Sequence, residues 1–368
     1  MMHVVICGGG VIGAATAYFL SCRGVKATIV ERTGLACGAS GKAGGFLALD
    51  WCDGTALQAL ARRSFALHGE LPRRIGGDWG YRRLSTSGGV AGFRNPVRPR
   101  GAGGTFGWLS DGVAVNQALG SPETTAQVHP ALFTAAMMRA AEAQGAKLCA
   151  GRVTGLVTTG GRVGGVEVDG AAIACDAVVI AMGPWSIFAA AWLPLPAVFG
   201  LKGHSLVFET GTRIPAEAAF LEYREAGGAV LTPEFFPRSD GTTYVCAISS
   251  ETPLPIDPAD VGPDEGALER LEAMCRDVSP VLGQAKILAR QACYRPVIRD
   301  GLPLIGRVAG LASAYVATGH SVWGILNAPA TGEAIAELIT EGAARVIDLA
   351  PFDPARLPPL DPARIRRA

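Results

Sequence analysis

The chain has 368 residues, of which 49% are hydrophobic and 18% are charged, and its formal net charge is +1. This composition excludes a disordered chain and gives no electrostatic reason to expect nucleic-acid binding. The length suits one large domain or two moderate ones.

Nine cysteines are scattered along the chain, and no two of them have the C-x-x-C spacing of a metal or redox site. We therefore expect reduced thiols in an intracellular, cytoplasmic protein without a metal site. The apolar N-terminus lacks the basic residues of a signal peptide, and no apolar run is long enough to span a bilayer. The sequence thus predicts a soluble protein.

The beginning of the chain predicts a βαβ unit. Residues 3–7 have the pattern of a buried strand, residues 8–13 fit G-x-G-x-x-G, and residues 11–22 form an apolar helical stretch. A second strand over 26–30 ends at Glu31. In a dinucleotide site the glycines permit a tight turn and close approach of a pyrophosphate, and the acid binds a ribose. The alternative is a glycine-rich turn in an ordinary α/β domain.

A loop of small residues, 36–45, comes next, and Lys42 is its only charge. Because this loop follows the predicted ribose-binding position, we expect it to contact a cofactor; the alternative is a flexible surface loop. Apolar periodicity predicts helices over 55–75 and 130–145. Glycine and proline signals predict loops and brief strands over 80–123.

The pattern then changes to period two, which is typical of strands. It predicts a three-strand meander over 147–175 and a buried strand over 177–183. Strands and loops are predicted to dominate 198–292, apart from an amphipathic helix over 266–278.

The last part returns to an α/β pattern, with a strand over 315–317, a glycine-punctuated turn over 319–324 and a helix over 330–341. The tail, 350–368, is rich in proline, and we expect it to be frayed with a solvated basic end.

These elements predict an α/β fold (α+β overall), with a Rossmann-like nucleotide-binding domain and an inserted, mostly antiparallel-sheet substrate domain. The nucleotide-binding domain would comprise 1–80, 124–200 and 294–349. The substrate domain would comprise 81–123 and 201–293.

Further motifs accompany the opening loop: VVIAMGPW at 178–185, YRP followed by DGLPLIG within 294–306, and GH followed by GILNAPATG within 319–332. Together with the loop and Glu31 they resemble the D-amino-acid oxidase superfamily of FAD enzymes, in particular its glycine oxidase and sarcosine oxidase branch. The resemblance covers nearly the whole chain.

A narrower likeness concerns residues 39–53, together with Pro233-Glu234 and Pro237-Arg238. These stretches resemble a eukaryotic-type subgroup of FAD oxidoreductases whose substrates are poorly defined. One member of that subgroup is linked to endosome-to-Golgi traffic.

The resemblance implies FAD as the cofactor, with its ADP half at the opening loop, its adenine at Val153 and its flavin beside 319–325. The implied helix N-terminus beside the flavin would stabilise a negative charge there. The cofactor-binding residues expected on this basis are Gly8, Gly10, Val11, Ile12, Gly13, Glu31, Arg32, Ser40, Gly41, Lys42, Ala43, Gly44, Val153, Ala181, Gly183, Trp185, Gly319, His320, Val322, Trp323, Gly324 and Ile325.

Four residues are expected at the reaction centre: Arg295, His320, Lys42 and His204. The resemblance implies that Arg295 pairs with the substrate carboxylate, which suits a guanidinium fork; the alternative is a solvated arginine before a proline. His320 follows the end of a strand in the flavin loop; the alternative to a role at the reaction centre is a histidine whose hydrogen bonds are made by backbone groups. Lys42 either activates oxygen or neutralises a phosphate. His204 lies in a Lys-Gly-His turn that in relatives carries a basic residue near the site.

The resemblance leaves the attachment of the flavin and one substrate contact open. Cys293 occupies a place where sarcosine oxidase relatives can hold a cysteine bonded to the flavin, or it is an ordinary buried cysteine. We expect non-covalent FAD. The tyrosine that the family uses on the substrate side is not identifiable, and Tyr223 and Tyr244 are both candidates.

We therefore expect oxidation of a C–N bond in a small amine or amino acid, by hydride transfer to flavin N5, giving an imine, with O2 as acceptor. The alternatives are an FAD dehydrogenase that passes electrons to a protein or quinone, a flavoprotein with a trafficking or scaffold role, and an NAD-linked dehydrogenase. The sequence leaves the substrate and the oligomeric state open.

Overall fold

The computed structural model describes residues 1–92 and 106–365. The predicted loops within 93–105, and the tail residues 366–368, lie outside the described residues. No helix in the described ranges is long and apolar enough to cross a membrane.

Helices and strands are numbered here in chain order. The helices are α1 (Val11–Ser21), α2 (Ala39–Lys42), α3 (Gln58–Ile75), α4 (Pro130–Glu142), α5 (Ala267–Val278), α6 (Pro280–Gln284) and α7 (Gly324–Glu341). The strands are β1 (His3–Cys7), β2 (Lys26–Glu31), β3 (Phe46–Ala48), β4 (Arg82–Arg83), β5 (Ser85–Ala91), β6 (Val113–Gly120), β7 (Thr125–Gln127), β8 (Lys147–Ala150), β9 (Val153–Thr159), β10 (Arg162–Val168), β11 (Ala171–Ala174), β12 (Ala177–Ile180), β13 (Phe199–Glu209), β14 (Glu217–Arg224), β15 (Val230–Leu231), β16 (Glu234–Pro237), β17 (Thr242–Ser250), β18 (Lys286–Val297), β19 (Leu304–Arg307) and β20 (Ala314–Thr318).

The first sheet has the strand order β19-β20-β12-β1-β2-β8, and its neighbours run parallel except for β19 and β20. Strand β1 is covered on both faces. Val4 and Ile6 belong to the core formed with α1, α3, α4 and α7, whereas Val5 and Cys7 belong to the core formed with β10. A parallel strand buried on both faces is a continuous apolar run, which is the pattern in the sequence.

Helix α7 lies against α1 because Gly332 has no side chain. A Cβ there would lie 2.6 Å from the Ala15 carbonyl carbon of α1. The helix begins at Gly324, about 1.7 turns before the predicted start at residue 330. Its first residues therefore come directly after the turn that follows β20.

The second sheet has the order β18-β13-β17-β16-β14-β5-β6, with β15 paired to β14. Among its described pairs, β5 and β14 are parallel and the others are antiparallel. Leu268, Leu271 and Met274 of α5 share a core with Leu206 and Phe208 of β13. The predicted fold class, a Rossmann-like unit with a mostly antiparallel sheet, is confirmed.

Some elements differ from the prediction. Residues 147–158 belong to two strands: β8 extends the first sheet, and β9 begins the meander with β10 and β11. Within 198–292 the sequence predicts strands over 205–208, 229–232 and 243–248, and none of them corresponds to β14 or β18. Because β18 spans 286–297, it crosses the predicted domain boundary at 293/294. The domain boundaries themselves stay a prediction.

The tail is packed as far as residue 365, so the prediction of a frayed tail is wrong there. Phe352 is 1% exposed, and Leu360 packs against the core of the first sheet. The Arg356 guanidinium donates to both Asp300 carboxylate oxygens (2.7 and 3.1 Å) and to the Leu302 carbonyl oxygen (2.7 Å). A charged, multiply bonded side chain thus anchors a segment that its composition alone would leave mobile.

Candidate active site

The glycine loop between β1 and α1 has no room for side chains. Gly8 has φ +111°, which favours glycine, and a Cβ there would lie 2.5 Å from the Ala181 carbonyl oxygen. A Cβ on Gly13 would overlap the Gly8 carbonyl oxygen. Gly8 and Gly10 line a cavity, so the backbone itself is the surface that a ligand would meet.

The N-terminus of α1 is directed to the same cavity, which Gly10, Val11 and Ile12 line. The Val11 N–H donates to Ser40 Oγ (2.9 Å), and a Cβ on Gly10 would lie 3.2 Å from that oxygen. Helix α2 is the element that carries Ser40. A helix N-terminus attracts anions, so this end of the cavity suits a pyrophosphate.

Glu31 holds the glycine loop in place. Its Oε2 accepts from the Gly9 N–H (2.7 Å), and its Oε1 accepts from the N–H groups of Thr33 (2.8 Å) and Gly34 (3.3 Å). Glu31 also lines the cavity. The carboxylate thus ties the end of β2 to the loop after β1, and its predicted ribose contact stays a prediction.

The cavity has a volume of about 760 Å³, within the usual range for cofactor sites. It runs from the glycine loop to the second sheet. The predicted site residues that line it are Gly8, Gly10, Val11, Ile12, Glu31, Arg32, Ser40, Ala43, Gly44, Val153, Ala181, Gly183, Trp185, Arg295, His320, Val322, Trp323, Gly324 and Ile325.

A loop after β17 covers the end of the cavity near Val153. Arg32 pairs with Asp257 (2.5 Å), and the Trp185 indole N–H donates to the Pro255 carbonyl oxygen (2.9 Å). Arg32 and Trp185, which were both predicted to bind the cofactor, therefore use their polar groups to hold this loop.

Three predicted glycines lie just outside the cavity lining. Besides Gly13, a Cβ on Gly41 would overlap the Ala36 carbonyl oxygen. Gly319 has φ +82°, and a Cβ there would overlap the Ile298 side chain. These glycines shape the backbone around the cavity rather than line it.

Lys42 and His204 are not brought to the cavity. Lys42 Nζ donates to the Ala292 carbonyl oxygen (3.1 Å). His204 Nε2 accepts from the Asp264 N–H (3.0 Å), and its Nδ1 lies 3.2 Å from the Ile248 carbonyl oxygen. Both side chains thus have backbone partners, and the structure gives neither the catalytic position that the sequence predicted.

His320 lines the cavity with a buried ring. Its Nε2 lies 3.0 Å from Thr331 Oγ1, and its Nδ1 has no hydrogen-bond partner among the described residues. Burial lowers the pKa of His320 to about 3, so the ring is neutral at physiological pH. His320 is therefore available as a neutral hydrogen-bonding group, and not as a cation.

Arg295 lies on β18 and enters the cavity from the second sheet. Its Nη1 donates to Ser249 Oγ (3.0 Å). A Cβ on Gly203 of the neighbouring strand would lie 3.2 Å from Arg295 Nη2, so this glycine makes room for the guanidinium. Within the part of the chain that the structure describes, Arg295 has no ion-pair partner within 4.0 Å.

Glu234 is an acidic residue in the same part of the cavity. Burial raises the pKa of its carboxyl group, and the positive charge of Arg295 opposes that rise. The Cys246 thiol, 3.5 Å from Oε2, is a weak donor to it. In the sequence, Glu234 belonged only to a family likeness, because nothing local placed its strand, β16, in the same sheet as β18.

Six aromatic side chains line this end of the cavity and contact one another, with ring centroids 5.0 to 6.3 Å apart along the chain of contacts. We call them the aromatic wall: Phe46, Trp51, Phe220, Phe236, Tyr244 and Trp323. Only Trp323 and Tyr244 were predicted at the site; the other four come from separate strands and turns.

The two candidate tyrosines differ in position. Tyr244 belongs to the aromatic wall, whereas the Tyr223 hydroxyl donates to Asp277 Oδ2 (2.6 Å) and does not line the cavity. Tyr244 is therefore the tyrosine that a substrate would meet.

The cavity fits the predicted cofactor. The glycine loop leaves bare backbone where a Cβ would intrude, the α1 N-terminus favours a pyrophosphate, and Ala43 and Gly44 continue a small-residue lining toward Arg295. Among residues 1–92 and 106–365, no group of three or more His, Cys, Asp or Glu side chains could hold a metal ion.

Comparison with known proteins agrees with this geometry. The family model described as FAD dependent oxidoreductase matches residues 3–338. A Schizosaccharomyces pombe protein named only as an oxidoreductase is 29% identical over 96% of this chain and 97% of its own length. A Geobacillus kaustophilus glycine oxidase is 29% identical over 96% of each chain. The crystal structure of glycine oxidase from Geobacillus kaustophilus has a TM-score of 0.80 and 26% identity, covering 97% of this chain and 100% of that one.

The resemblance to this superfamily, with its likeness to eukaryotic oxidoreductases, is thereby confirmed, and so is FAD as the cofactor. The protein is an oxidoreductase of the amino-acid and amine oxidase type. Because the family model spans most of the chain and the cavity accommodates its cofactor, the chain belongs to the D-amino-acid oxidase family of FAD-dependent oxidoreductases.

Proposed function

We propose that the protein oxidises the C–N bond of a small amino acid or amine whose carboxylate is held by Arg295, with O2 as the electron acceptor. The observation that carries the proposal is the position of Arg295. It lines the same cavity as the glycine loop, and its guanidinium has one described side-chain partner, Ser249. Two N–H groups of a guanidinium can hold a carboxylate in a fixed orientation.

When bound, FAD would supply the hydride acceptor for the carbon next to the substrate nitrogen; a substrate ammonium would release one proton to water as the hydride leaves, and water would hydrolyse the protonated imine that remains. The residues of this chain would orient and desolvate the substrate. Arg295 fixes the carboxylate, and the aromatic wall removes water from around the reacting carbon. Orientation of this kind supplies a large part of the rate in reactions that need no acid–base group. The relative with 29% identity named as a glycine oxidase supports an amino acid as substrate.

The flavin is proposed to be non-covalent. Cys293 lines the cavity two residues before Arg295, but burial raises the pKa of its thiol and so keeps it protonated. Because the thiolate is the reactive form of cysteine, this environment does not favour a bond to the flavin.

The first test is the absorption spectrum of the purified protein before and after acid precipitation. Flavin bands that move to the supernatant support non-covalent FAD, whereas a colourless protein that FAD does not reconstitute contradicts the proposal. Peroxide release under air is then measured with amino acids, N-methyl amino acids and cyclic imino acids. Turnover with an artificial acceptor but without peroxide contradicts O2 as acceptor.

The role of Arg295 is tested with Arg295→Met in the holoenzyme. We expect kcat/KM for the best carboxylate-bearing substrate to fall about 100-fold, the equivalent of about 3 kcal/mol in lost charged hydrogen bonds. Arg290→Met is the matched control, since Arg290 lies on the same strand and pairs with Glu272 outside the cavity. Equal activity of the two variants contradicts the proposal.

A further inference from the structure

Two opposite charges line the substrate end of the cavity without pairing. Arg295 and Glu234 both line it, and within the described ranges no ion pair within 4.0 Å joins them. Glu234 has the Cys246 thiol as a weak donor at 3.5 Å. A carboxylate in a protein interior is unfavourable unless it is paired, and the Arg295 charge acts on Glu234 only from beyond 4.0 Å, so a ligand can bring the cation in direct contact that Glu234 lacks among the described residues.

The strand register places Glu234 at the edge of the aromatic wall. On β16, Glu234 and Phe236 are two residues apart and face the cavity together. Phe220 on β14 is directly opposite Glu234, and Tyr244 on β17 is opposite Phe236. Glu234 therefore has an aromatic residue as its cross-strand neighbour, and aromatic rings also attract cations.

The wall is larger than a minimal substrate needs. Phe46 and Phe236 are stacked with centroids 5.3 Å apart, and Trp51 contacts Phe46 at 5.0 Å and Trp323 at 6.3 Å. Trp323 is an expected flavin contact, so the other five rings are the surface left to a substrate, and a ligand as small as glycine has no side chain to cover them. Burial of that surface against an apolar substituent is favourable in proportion to its area.

We propose that Glu234 binds the cationic nitrogen of the substrate while Arg295 holds its carboxylate, and that the aromatic wall packs on an apolar substituent. The substrate class is therefore a zwitterionic amino acid with a side chain or N-substituent larger than that of glycine. This inference rests on the proposed function, because it takes Arg295 as the carboxylate site. Glu234 is the specificity-determining residue that it adds.

The test measures binding to the FAD-loaded enzyme by isothermal titration calorimetry with two probes. α-Methylphenylalanine has a carboxylate, an ammonium and a benzyl group, and its Cα carries no hydrogen to lose. 3-Phenylpropionate has the same ring and carboxylate but no nitrogen. We expect the wild type to bind α-methylphenylalanine at least about 10-fold more tightly, the effect of one charged hydrogen bond.

Glu234→Gln is expected to weaken α-methylphenylalanine about 10-fold and to leave 3-phenylpropionate equal or tighter. Glu222→Gln is the matched control, since Glu222 is exposed on the adjacent strand β14. Flavin absorbance of each variant verifies that it holds FAD. The wild-type preference is a second measurement that does not depend on the folding of any variant.

The result that overturns the inference is a wild type that binds 3-phenylpropionate as tightly as α-methylphenylalanine, or an unchanged ratio in Glu234→Gln. Arg295→Met separates this failure from failure of the proposed function. If Arg295 holds the carboxylate, that variant weakens both probes whatever Glu234 does. If 3-phenylpropionate binds Arg295→Met as tightly as wild type, the carboxylate site itself is wrong.

Discussion

Replacing Glu31 by glutamine removes the charge from the carboxyl group that holds the glycine loop. The carboxylate accepts from Gly9 on one oxygen and from Thr33 and Gly34 on the other. A glutamine side chain has a single oxygen, so its NH2 group must face either the Gly9 N–H or the Thr33 N–H. Two donors then oppose each other, and at least one backbone N–H loses its acceptor.

The magnitude follows from these contacts. A hydrogen bond to a charged group contributes about 1.5–3 kcal/mol, and Glu31 is partly exposed, so we take about 2 kcal/mol for the lost bond. Gly9 lies in the loop that lines the cavity, and a displaced loop costs cofactor affinity. We expect the dissociation constant for FAD to rise about 30-fold.

The assay is titration of the apoprotein with FAD, followed by the change in flavin fluorescence. Glu142→Gln serves as control, because Glu142 is an exposed glutamate at the end of α4. An affinity of Glu31→Gln within about 3-fold of wild type would show that these hydrogen bonds do not shape the cofactor site.

Two further predictions concern the substrate end and the core. Gly203→Ala places a Cβ 3.2 Å from Arg295 Nη2, so the guanidinium must shift by a few tenths of an ångström. We expect KM for a carboxylate substrate to rise about 10-fold while the FAD content stays unchanged. An unchanged KM contradicts this prediction. Burial lowers the pKa of His68 from 6.5 to about 4, so the unfolded chain takes up a proton first and stability falls as pH drops below 6.5. When the pH is lowered from 7.5 to 5.5, the free energy of unfolding should fall about 1.4 kcal/mol less in His68→Asn than in wild type. The free energies are measured by denaturant unfolding at both pH values, and an equal decrease in the two proteins contradicts the prediction.

The cofactor half of the site could be predicted because its signals are local. The glycine loop, Glu31 and the small-residue segment occupy the first 45 residues, and each position is read from its immediate neighbours. The side chain excluded at Gly13 would meet Gly8, within the βαβ unit itself, whereas the one excluded at Gly8 would meet Ala181 after β12; the spacing of the glycines is nonetheless recognisable from the local sequence. Such a motif needs no knowledge of the rest of the fold.

His204 shows where local inference fails. Its neighbour Gly203 lines the cavity, and successive residues of a strand face opposite sides, so His204 faces away. Strand β13 runs over 199–209, whereas its predicted core was shorter and gave no face assignment. The Lys-Gly-His motif identified a segment that reaches the cavity, but it did not show which of its residues face the cavity.

Glu234, Phe220 and Phe236 escaped prediction for a different reason. They meet through the register of β14, β16 and β17, and β14 had no counterpart among the predicted strands. No spacing in the sequence relates Phe220 to Phe236, because their contact, with centroids 5.4 Å apart, depends on strand pairing over a connecting loop.

The two ends of the cavity therefore tolerate change differently. At the glycine loop, Gly8 and Gly13 are fixed by backbone geometry, and any side chain there displaces the chain itself. At the second sheet, Glu234 and Phe236 are side chains on a strand whose backbone bonds to β14 and β17 do not depend on their identity. Substituting these two side chains changes the charge and shape of the cavity, while the backbone pairing of β16 with β14 and β17 stays intact. If Glu234 binds the substrate as proposed, its substitution can test substrate binding without a change in the backbone of the glycine loop.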